Sequence, residues 1–189
     1  DMEQTVREDF IKDIKREITN IQFLVANLLK LSKLDANSVQ FINKEVKVEE
    51  IIQNVVKNVS SICDLKNIKI NITGDSKAKI VCDERWQIEA ITNIVKNAAE
   101  HSKTDSEIDI SYEQNKAYTK VAIKDYGAGI SNSDIKHIFQ RFYKSKNSEK
   151  DSIGIGLPLA KSIIERNNGY IEVTSEEGKG TTFTIKYLK

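Results

Sequence analysis

Two asparagines, Asn93 and Asn97, stand four residues apart in the stretch Asn93-Ile-Val-Lys-Asn97-Ala-Ala-Glu100-His101. On a helix that spacing puts both amides on one face. Their oxygens are hard neutral acceptors, suited to Mg²⁺ and to phosphate-bound water. The plainer alternative is a solvated helical face. Further on, Asp125-Tyr-Gly127-Ala-Gly129-Ile130 directly follows a run that alternates like a strand. An ionised aspartate accepts hydrogen bonds but donates none, so it suits an exocyclic amine and opposes a keto oxygen. That chemistry selects adenine over guanine, and the glycines let a flat base lie close to the backbone. A simple turn at a strand end is the competing reading. The third glycine of a dinucleotide fingerprint is missing, and no G-K-[ST] sequence marks a Walker loop.

Six of the 8 glycines form three G-x-G pairs, Gly127/Gly129, Gly154/Gly156 and Gly178/Gly180. Gly154-Ile-Gly156-Leu157-Pro158 leads into a helix whose free N–H groups could meet anionic oxygen. Lys144, at the end of Phe139-Gln-Arg141-Phe142-Tyr143-Lys144, is placed to meet a phosphate, with a solvated lysine as the alternative. Glu-Glu-Gly178-Lys-Gly180 reads equally well as a hairpin turn.

These groups need a frame. Residues 1–34 contain no Gly or Pro, and Phe10, Ile14, Ile18, Ile21, Val25, Leu28 and Leu31 recur at steps of three and four. A long amphipathic helix is expected, with a stripe that calls for a helical partner. A polar connector over 35–47, a helix over about 49–62, and strands at 68–72 and 79–82 follow. Asp83 fits the N-cap of a helix running to about His101. Residues 106–113 and 117–124 read as a hairpin. Ser131 opens a capping box for a short helix to about Phe139. Residues 143–153 read as a mobile loop, with a helix over about 158–167 and strands at 170–175 and 181–188 after it. Helices with mostly hairpin-connected strands suggest a two-layer α/β sandwich.

The chain has 189 residues, 39% hydrophobic and 30% charged, which suits a soluble globular domain with an appendage. Lys and Arg number 29 against 28 acidic residues, so a coat for nucleic acid is not expected. No apolar run reaches the length of a bilayer span, and no signal peptide is recognisable. Cys63 and Cys82 have no CxxC partner and suggest a reducing compartment. With His101 and His137 the only histidines, a His-rich metal centre is not expected.

In their order, these motifs resemble the nucleotide-binding domain of sensor histidine kinases, within the ATPase superfamily shared with DNA gyrase. Asn93-x-x-x-Asn97-Ala looks like the N box, Asp125-x-Gly127-x-Gly129-Ile130 the G1 box, and Phe139-x-Arg141-Phe142-Tyr143-Lys144 the F box. Gly154-x-Gly156-Leu157 resembles G2, and Gly178-x-Gly180-Thr181-Thr182-Phe183 the last glycine box. Upstream, Leu28-Leu29-Lys-Leu31-Ser32-Lys33-Leu34-Asp35 looks like the end of the second helix of the family's dimerisation hairpin. The resemblance implies an α+β fold, a two-layer sandwich with a mixed, mostly antiparallel sheet after a long N-terminal helix. It divides the chain into a partial hairpin helix and linker over 1–40 and a catalytic ATP-binding domain over 41–189.

The resemblance further implies ATP as phosphoryl donor, Mg²⁺ on Asn97, Asn93 near the phosphates, Asp125 on the adenine amine and His101 beside the base. It places Thr181 near the Asp125 water network and a lid over 143–156. It adds Gly127, Gly129, Ile130, Lys144, Gly154, Gly156 and Leu157 to the nucleotide site. Hydrolytic relatives hold a Glu base where Asn93 stands, and an amide cannot serve as one, so kinase chemistry is favoured. Implied partners are a response regulator and a second kinase protomer, and the implied location is the cytoplasmic side of a bacterial membrane sensor.

The family's phosphoacceptor box, His-(acidic)-x-(basic)-(Thr/Asn)-Pro, has no counterpart. The chain is expected to start before the second hairpin helix and to bind ATP without phosphorylating itself. Glu100 stands where the family often has a basic residue, which either weakens the triphosphate site or shifts the phosphate contacts to Lys96 or Lys144. Asp151-Ser152-Ile153 replaces an additional glycine pair of many members. An interaction module on a degenerate nucleotide fold, an ATP-hydrolysing relative and a protein-serine kinase are the competing readings.

Overall fold

A computed structural model describes residues 2–144 and 154–189. Helix α1 (Met2–Asp35) leads, followed by β1 (Lys44–Lys47), α2 (Val48–Leu65), β2 (Lys69–Gly74) and β3 (Lys79–Cys82). Then come α3 (Glu84–His101), the hairpin β4 (Glu107–Gln114) and β5 (Tyr118–Asp125), and α4 (Asn132–Ile135). Helix α5 (Gly156–Arg166) precedes the hairpin β6 (Gly169–Glu176) and β7 (Gly180–Leu188).

The main sheet has the order β2-β4-β5-β7-β6. Only β2 and β4 pair in parallel; the other pairs are antiparallel. A separate ribbon joins β1 to β3 with Val46 opposite Ile80. The mixed, mostly antiparallel sandwich expected above is what the chain forms. Alternation explains it: Ile108, Ile110, Val121, Ile123, Phe183 and Ile185 point to one face and are buried there. Helices α2, α3 and α5 close that face, with Ile91, Ile94, Leu159 and Ile163 fully buried. Cys63 and Cys82 are buried free thiols, and burial pushes Cys82 up to about 12.

Local rules set several boundaries. Asp83 caps α3 through Oδ1, which accepts from the backbone N–H of Arg85 at 3.1 Å and Trp86 at 3.3 Å. Its Oδ2 accepts from Ile42 N–H at 2.9 Å, tying the connector to the same residue. At the other end of α3, Lys66 donates to the carbonyls of Ala99 at 3.2 Å and Glu100 at 2.5 Å. Ser131 caps α4 as its capping box requires, accepting from Asp134 N–H at 3.1 Å. That helix is shorter than expected. It ends at Ile135, and tight turns such as Gln140 N–H to His137 O at 2.8 Å carry the chain on. The turns set the Phe139 ring edge-on against Phe183, 6.5 Å between centroids. The loop expected over 143–153 falls mostly on residues outside the described ones.

Helix α1 uses its two sides differently. Leu31 and Leu34 are buried against the body, and Leu24 and Leu28 are partly buried. Arg141 forks onto Asp35 at 2.7 and 2.8 Å, Arg166 reaches Leu34 O and Asn37 Oδ1, and Lys30 pairs with Glu89 at 2.7 Å. Most of the stripe read from the sequence stays uncovered: Phe10, Ile14, Ile18, Ile21 and Val25 are all exposed. No helix among the described residues is long and apolar enough to cross a membrane.

Candidate functional site

The strand register places Asp125. Lys124 lies opposite Thr182, so Asp125 ends β5 beside Thr181 at the start of β7. Its Oδ1 accepts two backbone hydrogen bonds, from Gly127 N–H at 2.9 Å and Thr181 N–H at 3.2 Å. These two donors fix the carboxylate plane and commit one oxygen, leaving Oδ2 for whatever enters. Asp125 is only 3% exposed. Burial holds its carboxyl above the ordinary value, opposed by the Gly127 and Thr181 N–H groups and by His101.

The loop after Asp125 is stitched to the β6–β7 hairpin. Gly178 N–H donates to Ala128 O at 2.7 Å, and Ile130 N–H to Ser175 Oγ at 2.8 Å. Ser175 Oγ also meets Thr181 Oγ1 at 2.9 Å. Two glycines are required here. A Cβ on Gly127 would sit 2.3 Å from the carbonyl oxygen of His101, and Gly129 has φ +70° with the Glu176 carbonyl oxygen 2.1 Å from where a Cβ would stand.

Helix α3 delivers the amides. Asn93 and Asn97 share a face, as their spacing demands. Asn93 Nδ2 donates to Glu89 O at 2.9 Å, which turns its oxygen toward Gly156, where a Cβ would come within 2.9 Å of it. Lys96 pairs with Glu100 at 3.7 Å and lies over the ring of Phe23, 4.6 Å from its centroid. Phe142 N–H donates to Gly154 O at 2.9 Å, joining the F-box end to the start of the G2 segment.

Asp125 and Thr181, the loop from Ala128 to Ile130, the α3 amides and the start of the G2 segment border one cavity of about 360 Å³. Of the residues singled out in the sequence, Asn93, Asn97, His101, Asp125, Gly129, Ile130, Lys144, Gly154, Gly156, Leu157 and Thr181 line it. Gly127 does not; it lies behind the wall, and its work is the N–H given to Asp125. Lys96 and Glu100, weighed above as departures, also line the cavity. The wall that sequence reading missed comes from α1: Thr19, Asn20, Phe23, Leu24 and Asn27. Their signal was present, since they fall on one helical face where polar residues interrupt the apolar ones.

Among the described residues there is no cluster of three or more His, Cys, Asp or Glu side chains able to hold a metal alone. The donors in the cavity are instead amide oxygens. That set fits Mg²⁺ brought in with phosphates, because Mg²⁺ takes few protein ligands and completes its shell with water and phosphate oxygen.

The family model described as "Histidine kinase-, DNA gyrase B-, and HSP90-like ATPase" matches residues 82–189, more than half of the chain. The heme sensor protein HssS of Staphylococcus saprophyticus is 32% identical over 97% of this chain and 39% of its own length. Sensor histidine kinase YxdK of Bacillus subtilis is 30% identical over 96% of this chain and 57% of its own. The chain therefore spans less than two thirds of these curated relatives. Among solved structures, the histidine kinase AdeS of Acinetobacter baumannii superposes with a TM-score of 0.79 at 22% identity, over 94% of this chain and 83% of its own. ShkA in complex with AMPPNP gives 0.77 at 21% identity, over 88% and 35%. ThkA in complex with the response regulator TrrA gives 0.76 at 21% identity, over 95% and 50%. The structural likenesses establish the fold. The matched ATPase region leads to one statement: the chain belongs to the histidine kinase-, DNA gyrase B- and HSP90-like ATPase family.

Proposed function

We propose that this chain is the catalytic portion of a bacterial sensor histidine kinase. It binds Mg·ATP and transfers the γ-phosphoryl group to a histidine on another helix, for relay to an aspartate of a response regulator. Residues 41–189 form the ATP-binding domain, and residues 1–40 are a dimerisation-hairpin helix and linker that work with a second protomer. The setting is the cytoplasmic side of a membrane sensor.

The observation that carries this reading is that Asp125 and Asn97 line the same cavity. Asp125 offers an acceptor, with one oxygen already fixed by Gly127 and Thr181 N–H groups, and so suits the adenine amine. His101 and Ile130 flank the base, while Asn93, Lys144, Gly154, Gly156 and Leu157 border the phosphates. Asn97 holds Mg²⁺, which when bound neutralises phosphate charge. What the protein supplies is position and charge, the main demands of phosphoryl transfer. Neither amide can take a proton from water, which favours transfer over hydrolysis. The AMPPNP bound to ShkA and the regulator bound to ThkA support both the ligand class and the partner.

Neither histidine suits the acceptor role. His101 borders the cavity itself, and His137 lies against Tyr143 with ring centroids 5.4 Å apart. Calorimetric titration with Mg·ATP tests the binding. Incubation with γ-labelled ATP tests the chemistry: no acid-labile label is expected on this chain alone, but one is expected on a supplied phosphoacceptor helix. Absence of binding at millimolar nucleotide would overturn the proposal.

A further inference from the structure

Asn27 lies midway along the docked half of α1. It is 1% exposed, it lines the nucleotide cavity, and its Nδ2 has no hydrogen-bond partner among the described residues. A buried amide N–H left unpaired is destabilising, and native interiors rarely keep one. No other side chain that lines this cavity leaves a fully buried donor unpaired among the described residues. The terminal torsion of asparagine is broad and nearly two-fold, so a half-turn presents nitrogen in place of oxygen at little expense. The residue is thus a donor in reserve at the wall of a site that receives an anion.

A second α1 residue acts at the same wall. The Phe23 ring lies under the Lys96 ammonium at 4.6 Å, and Phe23 stands one helical turn before Asn27. Lys96 belongs to the same α3 face region as Asn93 and Asn97, where the phosphates are placed by the reading above. Helix α1 therefore contributes one unpaired donor and steadies one cation around that end of the cavity. The clamp of Arg141 on Asp35 and the burial of Leu31 and Leu34 keep α1 seated while it does so.

We propose that α1 is part of the nucleotide site, with the Asn27 amide donating to a phosphate oxygen of the bound nucleotide. This rests on the ATP-binding reading and extends it: the polyphosphate bridges α1 and the α3 amides, so that occupancy of the site holds the hairpin helix against the catalytic body.

The test compares Mg·ATP and AMP binding by calorimetry on the whole chain and on Asn27→Leu and Asn27→Asp. Leucine has similar volume and no polar group. It is expected to leave the apo melting temperature equal or higher, to weaken Mg·ATP about tenfold, the loss expected of a charge-assisted hydrogen bond, and to leave AMP within about twofold. Aspartate, a near-isostere that sets a carboxylate against the phosphates, is expected to weaken Mg·ATP more than leucine does. Unchanged Mg·ATP affinity in both variants would overturn the inference while leaving the ATP reading intact. Equal loss for AMP and ATP would mean a purely structural role and would overturn it too. If the unaltered chain binds neither nucleotide, both the inference and the reading fall.

Discussion

Asp125 meets the cavity with one oxygen committed, and that fixes what an amide would do in its place. In Asp125→Asn the Gly127 and Thr181 N–H groups hold the amide oxygen, so the NH₂ must face inward. Donor then opposes the donor of adenine. Mg·ATP affinity should fall about thirtyfold, corresponding to ~2 kcal/mol for an unpaired polar group. The ratio of GTP or ITP to ATP affinity should rise, because a 6-keto group now finds a donor. Parallel titrations check this, and unaltered ATP affinity would remove Asp125 from base recognition. Stability moves differently. The Asp125 carboxyl is raised in the fold, so the native state binds its proton more tightly than the unfolded chain does. Its contribution is then full below the unfolded pKa and lost as pH rises through the folded one. At neutral pH the apo Asp125→Asn protein should melt no lower than the parent. ATP binding by the parent should weaken on acidification from above the usual carboxylate range, as the acceptor form is lost, and the variant should lack that step. Gly127 adds a steric counterpart. A Cβ 2.3 Å from a backbone carbonyl cannot be relieved by rotating a side chain, so Gly127→Ala should lower both stability and ATP affinity in urea melts and titrations.

Helix α3 positions both amides and His101, and its start depends on Asp83. That carboxylate caps two N–H groups of the first turn and also accepts from Ile42, so Asp83→Ala should lower unfolding free energy by about 2 kcal/mol in urea. A loss confined to a few tenths would mean that the turn recaps on water. This element was fully legible beforehand: an N-cap aspartate, an apolar face and two asparagines one turn apart lead to one arrangement. The parallel pairing of β2 with β4 was not, because it joins segments separated by β3 and α3, and no local pattern encodes such a partner. Helix α4 was overextended because a capping box signals a start and not a length; the fit of Phe139 onto Phe183 decides where it ends. The α1 wall was hidden for another reason. The apolar stripe is the louder signal, and from Phe10 to Val25 it marks a side of the helix that the body of the fold leaves uncovered.

At about 100° per residue, Ile14, Ile18, Ile21 and Val25 fall on one side of α1, and Asn20, Phe23 and Asn27 fall roughly opposite. The first side is exposed along its length, with Phe10 at 64% and Ile21 at 58%, while the second borders the cavity. One helix therefore carries two separate surfaces, an exposed apolar strip and a wall of the cavity. A continuous apolar strip on a helix reaching past its domain is the kind of surface that seeks another helix. Sedimentation velocity should show self-association that grows with protein concentration. Ile14→Glu combined with Ile21→Glu should abolish it, because a buried charge without a partner is strongly unfavourable. Since neither position lines the cavity, Mg·ATP affinity should stay within about twofold of the parent, a change too small to signal a lost contact. If the double variant loses ATP binding together with association, the two sides of α1 are energetically one surface, and the division of labour along this helix fails.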